Sequence, residues 1–420
     1  MKEQYIKARE EVRLHLKDEL LPFWQKRVLD SEFGGFLTCF DKNGDPSGET
    51  DKALLSQARC LFAFSAAHRA GYGGGRLLEL AKKGIDFLIH HFWDTKHQGW
   101  FWVVNREGEP VDPSKVVYGH SFVIYGLSEY FLASGDKTAL RWANLTLNML
   151  QNFAADIQHG GYFELMEQDW SLKPGGVYGG DRKTMDVHMH LMEAFSKLYE
   201  ASGNWLHKRC AAQMIKLIFR RIIHPDYHLG ISQFSFGWKP LRAILFKTVW
   251  GADREAEEEE GRPLDNTSYG HNVEFGWLLN EAVGKLGLKR SEYLHRIKPL
   301  YDHCLKYGID WEKGGVYCEG PFAGPARERN KEFWQQAETM IAMLDALELY
   351  GDGIYWEAYK KVHRFVFDFM INHKIGEWWP LFGPDNTRLW EYMSTAWKVN
   401  YHTVRAMLEC EKRLQRLVES

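Results

Sequence analysis

The chain has 420 residues, 45% hydrophobic and 26% charged, with a net charge of -3. That balance gives no electrostatic case for nucleic acid or an anionic membrane surface, and no apolar run reaches the roughly 20 residues a membrane span needs. The opening Met1-Lys-Glu-Gln-Tyr-Ile-Lys7 lacks the apolar core of a signal peptide. Cys39, Cys60, Cys210, Cys304, Cys318 and Cys410 show no CxxC or other metal-type spacing and read as reduced thiols of a cytoplasmic protein. The 17 tryptophans do stand out, because flat aromatic faces suit sugar rings as well as core packing.

In chain order a glycine–aromatic signature recurs six times: Gly34-Gly-Phe36, Gln98-Gly-Trp-Phe-Trp102, Gly160-Gly-Tyr-Phe-Glu164, Leu229-Gly-Ile-Ser-Gln233, Gly314-Gly-Val-Tyr-Cys-Glu319 and Gly376-Glu-Trp-Trp379. Aligned on Gly35, Gly99, Gly161, Gly230, Gly315 and Gly376, the spacings are 64, 62, 69, 85 and 61 residues. A period of that length marks a supersecondary unit. Helical patterns precede each signature over Ile6–Leu29, Leu78–Trp93, Leu140–Phe153, Trp205–Ile223, Leu294–Tyr307 and Tyr355–Ile371. A second set follows it over Lys52–Ala70, Tyr118–Ser134, Lys183–Ser202, His271–Leu286, Glu332–Tyr350 and Tyr401–Leu414, and several of these end at a glycine suited to a left-handed cap.

The first set is mixed in polarity, as outer helices are; the second is rich in small and apolar residues, as helices buried on both faces are. An open superhelix needs polar capping repeats, and none is visible. The expected fold is therefore all-α, an (α/α)6 barrel over residues 1–420 with short β-hairpins at the active-site end. The fourth unit carries an insertion over 233–263. Its acidic run Gly251–Pro263 reads as an exposed loop, and Gln233–Trp238 with Thr248–Gly251 has the alternative reading of a lid.

In such a barrel the glycine turns lie at one end, so the starts of the inner helices ring one opening. They bring there Arg59; Tyr118 and His120; Asp186, His188 and His190; His271 and Glu274; Trp334 and Glu338; Trp397 and His402. Any one of these has a structural explanation, but six units placing such groups in register points to a site. Asp186 and His190 are i,i+4 and share a face, so Asp186 is placed to orient His190. His188 points elsewhere, and only one of the two histidines is expected to face the cavity. His271 and His402 are suited to moving protons near neutral pH, and Glu274 or Glu338 to holding an imidazole in one tautomer. There is no nucleophile elbow, phosphate loop or dinucleotide fingerprint. We expect no cofactor and no metal.

The segments Tyr269-Gly-His-Asn-Val-Glu-Phe-Gly-Trp-Leu-Leu279, Lys183-Thr-Met-Asp-Val-His-Met-His190 and Trp397-Lys-Val-Asn-Tyr-His402 resemble the N-acylglucosamine 2-epimerase superfamily, nearest its cellobiose and related aldose 2-epimerase branch. The resemblance covers nearly the whole chain and implies the same barrel. It implies ring opening of a reducing sugar, removal of the C2 proton to a cis-enediolate, and reprotonation on the other face. His271 and His402 match the acid/base pair, Arg59 the arginine near the sugar oxygens, His190 a histidine near the anomeric end, and Glu274 the partner of the base. Tyr118, His120, Asp186, Trp334, Glu338 and Trp397 match or adjoin substrate-holding positions. Disaccharide epimerases resemble this chain with Asn in place of Asp186 and an amide in place of His120.

The partner implied is a small sugar, with no nucleic acid, membrane or nucleotide requirement, and the protein is expected to be a monomer or homodimer. Three alternatives stand beside the 2-epimerase: an aldose–ketose isomerase using the same enediol, an N-acylglucosamine 2-epimerase, and a glycoside hydrolase of the same fold using Glu274 and Glu338. A non-catalytic sugar- or protein-binding barrel is the remaining class.

Overall fold

Each glycine signature folds as the same tight loop. Its first and last residues form an antiparallel bridge, Leu29 to Phe36 in the first unit, Trp93 to Trp100, Ala155 to Tyr162, Ile223 to Gly230, Ile309 to Val316 and Ile371 to Trp378 in the others. The glycines are needed for conformation and for space. Gly161 has a φ of +80°, and a Cβ there would stand 2.6 Å from the His188 ring; Gly35 has a φ of +67°, with the Phe87 ring 2.7 Å from where its Cβ would be. These features come from a computed structural model that describes residues 1–246 and 261–420. Most of the acidic run and the Thr248–Gly251 part of the expected lid lie outside the described residues.

The loops join two sets of six helices, counted among the described residues. The outer helices are 2–27, which contains a π-helical stretch at His15–Leu20, then Gly74–Phe87, Lys137–Met149, Trp205–Leu217, Leu294–His303 and Gly353–Phe365. Each of the last five runs into a π-helical turn before its loop, as at Leu88–Phe92 and Val366–Met370. The inner helices are Leu54–Arg69, Val117–Ser134, Met185–Ser202, Tyr269–Lys285, Phe333–Tyr350 and Asn400–Glu419. Val117–Ser134 shows why these lack an amphipathic pattern: its residues are buried almost without a break from Val117 to Tyr130, because both of its faces meet protein.

Every inner helix packs on the next, the sixth packs on the first, and the outer helix 2–27 packs on the sixth, so the ring is closed. Tryptophans seal the joint. Trp24 Nε1 donates to Glu377 at 2.6 Å, Trp378 Nε1 to His15 Nε2 at 2.9 Å, and Trp356 Nε1 to Gln4 at 3.0 Å.

The expected short hairpins are present, Val103–Val104 with Pro110–Asp112 and Gln233–Ser235 with Pro240–Leu241, and a second pairing that the sequence does not reveal joins neighbouring units. The short strand before each inner helix pairs with the strand after the next unit's glycine loop: Lys52–Ala53 with Val103–Val104, Lys115–Val116 with Leu165–Met166, Arg182–Thr184 with Gln233–Ser235. Asn266–Ser268 pairs with Glu319–Pro321, Lys331–Glu332 with Leu381–Phe382, and Tyr392–Ser394 returns to Phe40–Asp41. Backbone hydrogen bonds therefore run around the opening from unit to unit.

Among the described residues a buried lysine clamps each joint except the fourth. Lys52 pairs with Asp30 at 3.0 Å, Lys115 with Asp94 at 2.9 Å, Lys183 with Asp156 at 2.6 Å, Lys331 with Asp310 at 2.8 Å and Lys398 with Glu377 at 3.1 Å. Lys52, Lys183 and Lys331 also donate to the carbonyls of Gly34, Gly160 and Gly314. Burial lowers all five lysines from their ordinary value, and the carboxylates and carbonyls keep their protons held. In the fourth unit a hydroxyl takes this place, with Thr267 Oγ1 donating to the Gly230 carbonyl at 2.8 Å.

Candidate active site

Because all six inner helices start at the same end, their first turns enclose a cavity of about 380 Å³, within the range of ligand pockets. Each inner helix or the residues just before it contributes to the wall. Arg59 comes from the first, Tyr118 from the second, Asp186 and His190 from the third, His271 and Glu274 from the fourth, Trp334 from the fifth, and Trp397 and His402 from the sixth. Trp397 stands before its helix rather than in it, in a turn where the Thr395 hydroxyl accepts the N–H groups of Trp397 and Lys398.

Two imidazoles flank one indole. The Trp334 ring centroid is 4.7 Å from that of His271 and 5.8 Å from that of His402. Trp334 lines the cavity, and its Nε1 is buried without a hydrogen-bond partner on the protein. Across the ring, Arg59 donates to the Tyr118 hydroxyl at 2.9 Å and to the Trp397 carbonyl at 3.2 Å, with its guanidinium 4.4 Å from the Phe122 ring centroid. That fixes a positive charge at the cavity.

Beneath the imidazoles lies a layer of buried charge. His402 Nδ1 is 2.6 Å from Glu338 Oε1, and His190 Nδ1 is 2.8 Å from Glu193 Oε2. Arg405 donates to Glu193 at 2.7 Å, Glu274 at 2.5 Å and Glu338 at 2.7 Å, and also to the Tyr401 hydroxyl. Burial, with the positive charges of Arg59 and Arg405, holds His402 well below its ordinary value, so the ring is neutral. Burial lowers His190 as well, against the pull of Glu193. Burial alone would raise Glu193, but Arg405 and His190 hold it down at about 2. Burial and the charge of Glu338 push Glu274 well above the carboxylate range. A neutral imidazole whose Nδ1–H points at a carboxylate presents Nε2 as a base.

The structure moves two expected residues and changes the partner of a third. His120 is not in the cavity wall: its Nδ1 is 2.8 Å from the Val116 carbonyl, and its Nε2 accepts the Trp100 N–H at 3.1 Å. Nε2 serves the glycine loop and Nδ1 the start of its own helix, and burial holds the ring down at about 3. Gln57, His188, Asn272 and Gln336 do the same for Phe36, Tyr162, Gly230 and Val316. Glu338 is also off the wall, fully buried behind His402, so it supports that ring instead of holding substrate. The partner of His190 is Glu193, one turn further along its helix, and not Asp186, which lines the cavity itself.

Other residues were not anticipated. Glu193 and Arg405 each lie three positions after a cavity histidine, the spacing of neighbours on one helix face, and that spacing was the available signal. Trp102, Trp390 and Tyr392 add aromatic wall from the loops. Of the expected lid, Gln233 and Trp238 are buried and engaged in packing, with Trp238 Nε1 donating to the His159 carbonyl at 3.0 Å. Leu245 and Phe246, further along, face the cavity. Glu274, Glu338 and His402 lie close enough for a shared metal, but the Arg405 guanidinium already bonds both carboxylates, and the donor set reads as an ion-pair network.

Comparison with known proteins identifies the family of the chain. Residues 35–406 match the N-acylglucosamine 2-epimerase (GlcNAc 2-epimerase) family. The chain is 27% identical to the cellobiose 2-epimerase of Bacteroides fragilis over 410 residues, covering 96% of this chain and 98% of that one. It is 26% identical to the D-mannose isomerase of Marinomonas mediterranea over 403 residues, covering 94% and 95% of the two chains. The solved structure of the cellobiose 2-epimerase from Spirochaeta thermophila superposes with a TM-score of 0.85 at 30% identity, over 99% of this chain and 98% of that one. Matched over nearly its whole length, the chain belongs to the N-acylglucosamine 2-epimerase family.

Proposed function

We propose that the protein is a sugar 2-epimerase that inverts C2 of a reducing aldose, either glucose and mannose or a β-1,4-linked disaccharide such as cellobiose. The observation that carries this reading is the pair of imidazoles, His271 and His402, flanking Trp334 in one cavity. Inversion needs two groups, because one base would return the proton to the face it left. In one direction His402, neutral and backed by Glu338, takes the C2 proton, and His271 delivers a proton to the opposite face; the roles exchange in reverse. Arg59 balances the negative charge that builds on the enediolate oxygens. His190, held by Glu193, serves ring opening at the anomeric end, and the rings of Trp334, Trp397 and Trp102 hold the sugar.

The likeness to a D-mannose isomerase supports a second reading, in which the same enediolate is protonated at C1 and leaves as a ketose. A two-carboxylate hydrolase is not favoured, since Glu338 is shielded by His402 and Glu274 is bonded to Arg405. Among the described residues no helix is long and apolar enough to cross a membrane, and the six free cysteines support a cytoplasmic setting.

Substituting each histidine separately tests the reading. His402→Asn and His271→Asn should each abolish epimerisation, by about 10³-fold or more, while sugar binding followed by tryptophan fluorescence is retained. Full turnover in either variant would contradict the two-histidine assignment.

A further inference from the structure

A second cavity, about 550 Å³, lies at the other end of the inner-helix ring. Its wall includes Glu193, Trp277 and Arg405, so two members of the charged layer beneath the active-site imidazoles also face this cavity. It reaches solvent: the side chains of Arg69 and Lys412 in its wall are 42% and 49% exposed.

Arg405 is the one cation bonded to all three carboxylates of the layer among the described residues. Its Nη1 reaches Glu193 on the third inner helix, and its Nη2 reaches Glu274 on the fourth and Glu338 on the fifth, while Arg405 itself lies on the sixth. The guanidinium is held between aromatic faces, 4.1 Å from the Tyr401 ring centroid and 4.9 Å from that of Trp277. Two of the three carboxylates end on ring nitrogens in the active site, Glu193 on His190 and Glu338 on His402. Three carboxylates this close repel one another, and a planar guanidinium is the side chain whose fork can hold several at fixed angles.

We propose that Arg405 is a positioning residue that sets the orientation of both His190 and His402 through their carboxylate partners, and that its guanidinium can be replaced from the far cavity by a small free guanidinium ion. The inference rests on the 2-epimerase reading. An Arg405→Ala chain keeps every group that touches sugar but leaves a guanidinium-sized gap next to the solvent-connected cavity.

The test follows hydrogen exchange at C2 of glucose, mannose and cellobiose for wild type, Arg405→Ala and Arg405→Lys, with and without added guanidinium chloride at low, non-denaturing concentration. Arg405→Ala is expected to lose about 10²-fold in kcat with KM within about threefold, and guanidinium to restore at least about tenfold of that loss. Arg405→Lys keeps the charge but not the fork. It is expected to fold, to keep its KM and to lose about tenfold in kcat, and it decides the matter even if Arg405→Ala does not fold. Wild-type kcat in Arg405→Lys, or a folded Arg405→Ala whose loss guanidinium leaves untouched, would overturn the role of Arg405 alone. No exchange by the wild type on any aldose would overturn the 2-epimerase reading, and this inference with it.

Discussion

Glu338 and His402 form a buried pair 2.6 Å apart, and Glu338 receives two further donors, Arg405 on the same oxygen and Trp277 Nε1 on the other at 3.0 Å. Burial pushes the Glu338 carboxyl up, against the pull of Arg405 and Trp277, and three donors converge on it. His402 is thereby held in the tautomer that offers Nε2 to the cavity.

Glu338→Gln should expose this dependence. An amide has its own N–H to place, and it binds Arg405 less strongly than a carboxylate does. We expect kcat to fall about 10²-fold while KM moves by no more than about threefold. Steady-state kinetics read both, and a change confined to KM would contradict a supporting role behind His402.

His120→Gln should separate structure from substrate binding. Gln57 and Gln336 do in their units what His120 does in its own, so the substitution keeps the hydrogen bond to the glycine loop. KM should stay within about twofold of wild type, whereas a wall residue would move it further.

The same variant carries a pH prediction with a definite sign. Burial depresses folded His120 to about 3, while in the unfolded chain it titrates near 6.5. Below about 6.5 the unfolded state binds more protons at this position, so the wild type loses stability as pH falls towards the folded value. The amide that replaces the imidazole in His120→Gln does not titrate. Relative to that variant, the wild type should lose about 2 kcal/mol between about pH 7.5 and pH 5, read from urea unfolding at the two pH values. Referencing to the variant removes buried carboxyls such as Glu164 and Asp345, which burial raises and which shift stability the other way.

Lys183→Met should reveal the clamp. It removes the lysine charge from buried Asp156, which keeps the N–H groups of Gln158 and His159 and the His159 ring, and leaves the Gly160 carbonyl without its lysine donor, costing about 3 kcal/mol. Adding Asp156→Asn should recover part of the loss, and equal losses in the single and double variants would count against the pairing.

The closed ring was legible in the sequence because its cause is local. A loop that needs a left-handed glycine, as at Gly35 or Gly161, leaves a residue type at a fixed period, and inner helices buried on both faces lose their amphipathic pattern. That Arg59, His190, His271 and His402 stand at one cavity was legible for the same reason, since register along a helix start follows from the repeat. The strand pairing was not, because strands of two or three residues carry no periodic signal and take their partners from the neighbouring unit. His120 was misplaced because a histidine capping a loop and one facing a cavity look alike until the helix rotation is known. Glu193 and Arg405 were missed because their partners come from three other helices that meet only when the ring closes. The lysine clamps lay in plain sight: Asp30 and Lys52, Asp94 and Lys115, and Asp310 and Lys331 keep nearly constant separations, but nothing in the sequence alone requires them to touch.

Proton NMR in D2O with glucose, mannose and cellobiose in turn, in the presence of EDTA, tests the central claim most directly. The two-histidine account predicts deuterium at C2 appearing together with the C2 epimer of at least one of these sugars. Aldoses that keep their C2 protons and their configuration throughout would contradict it.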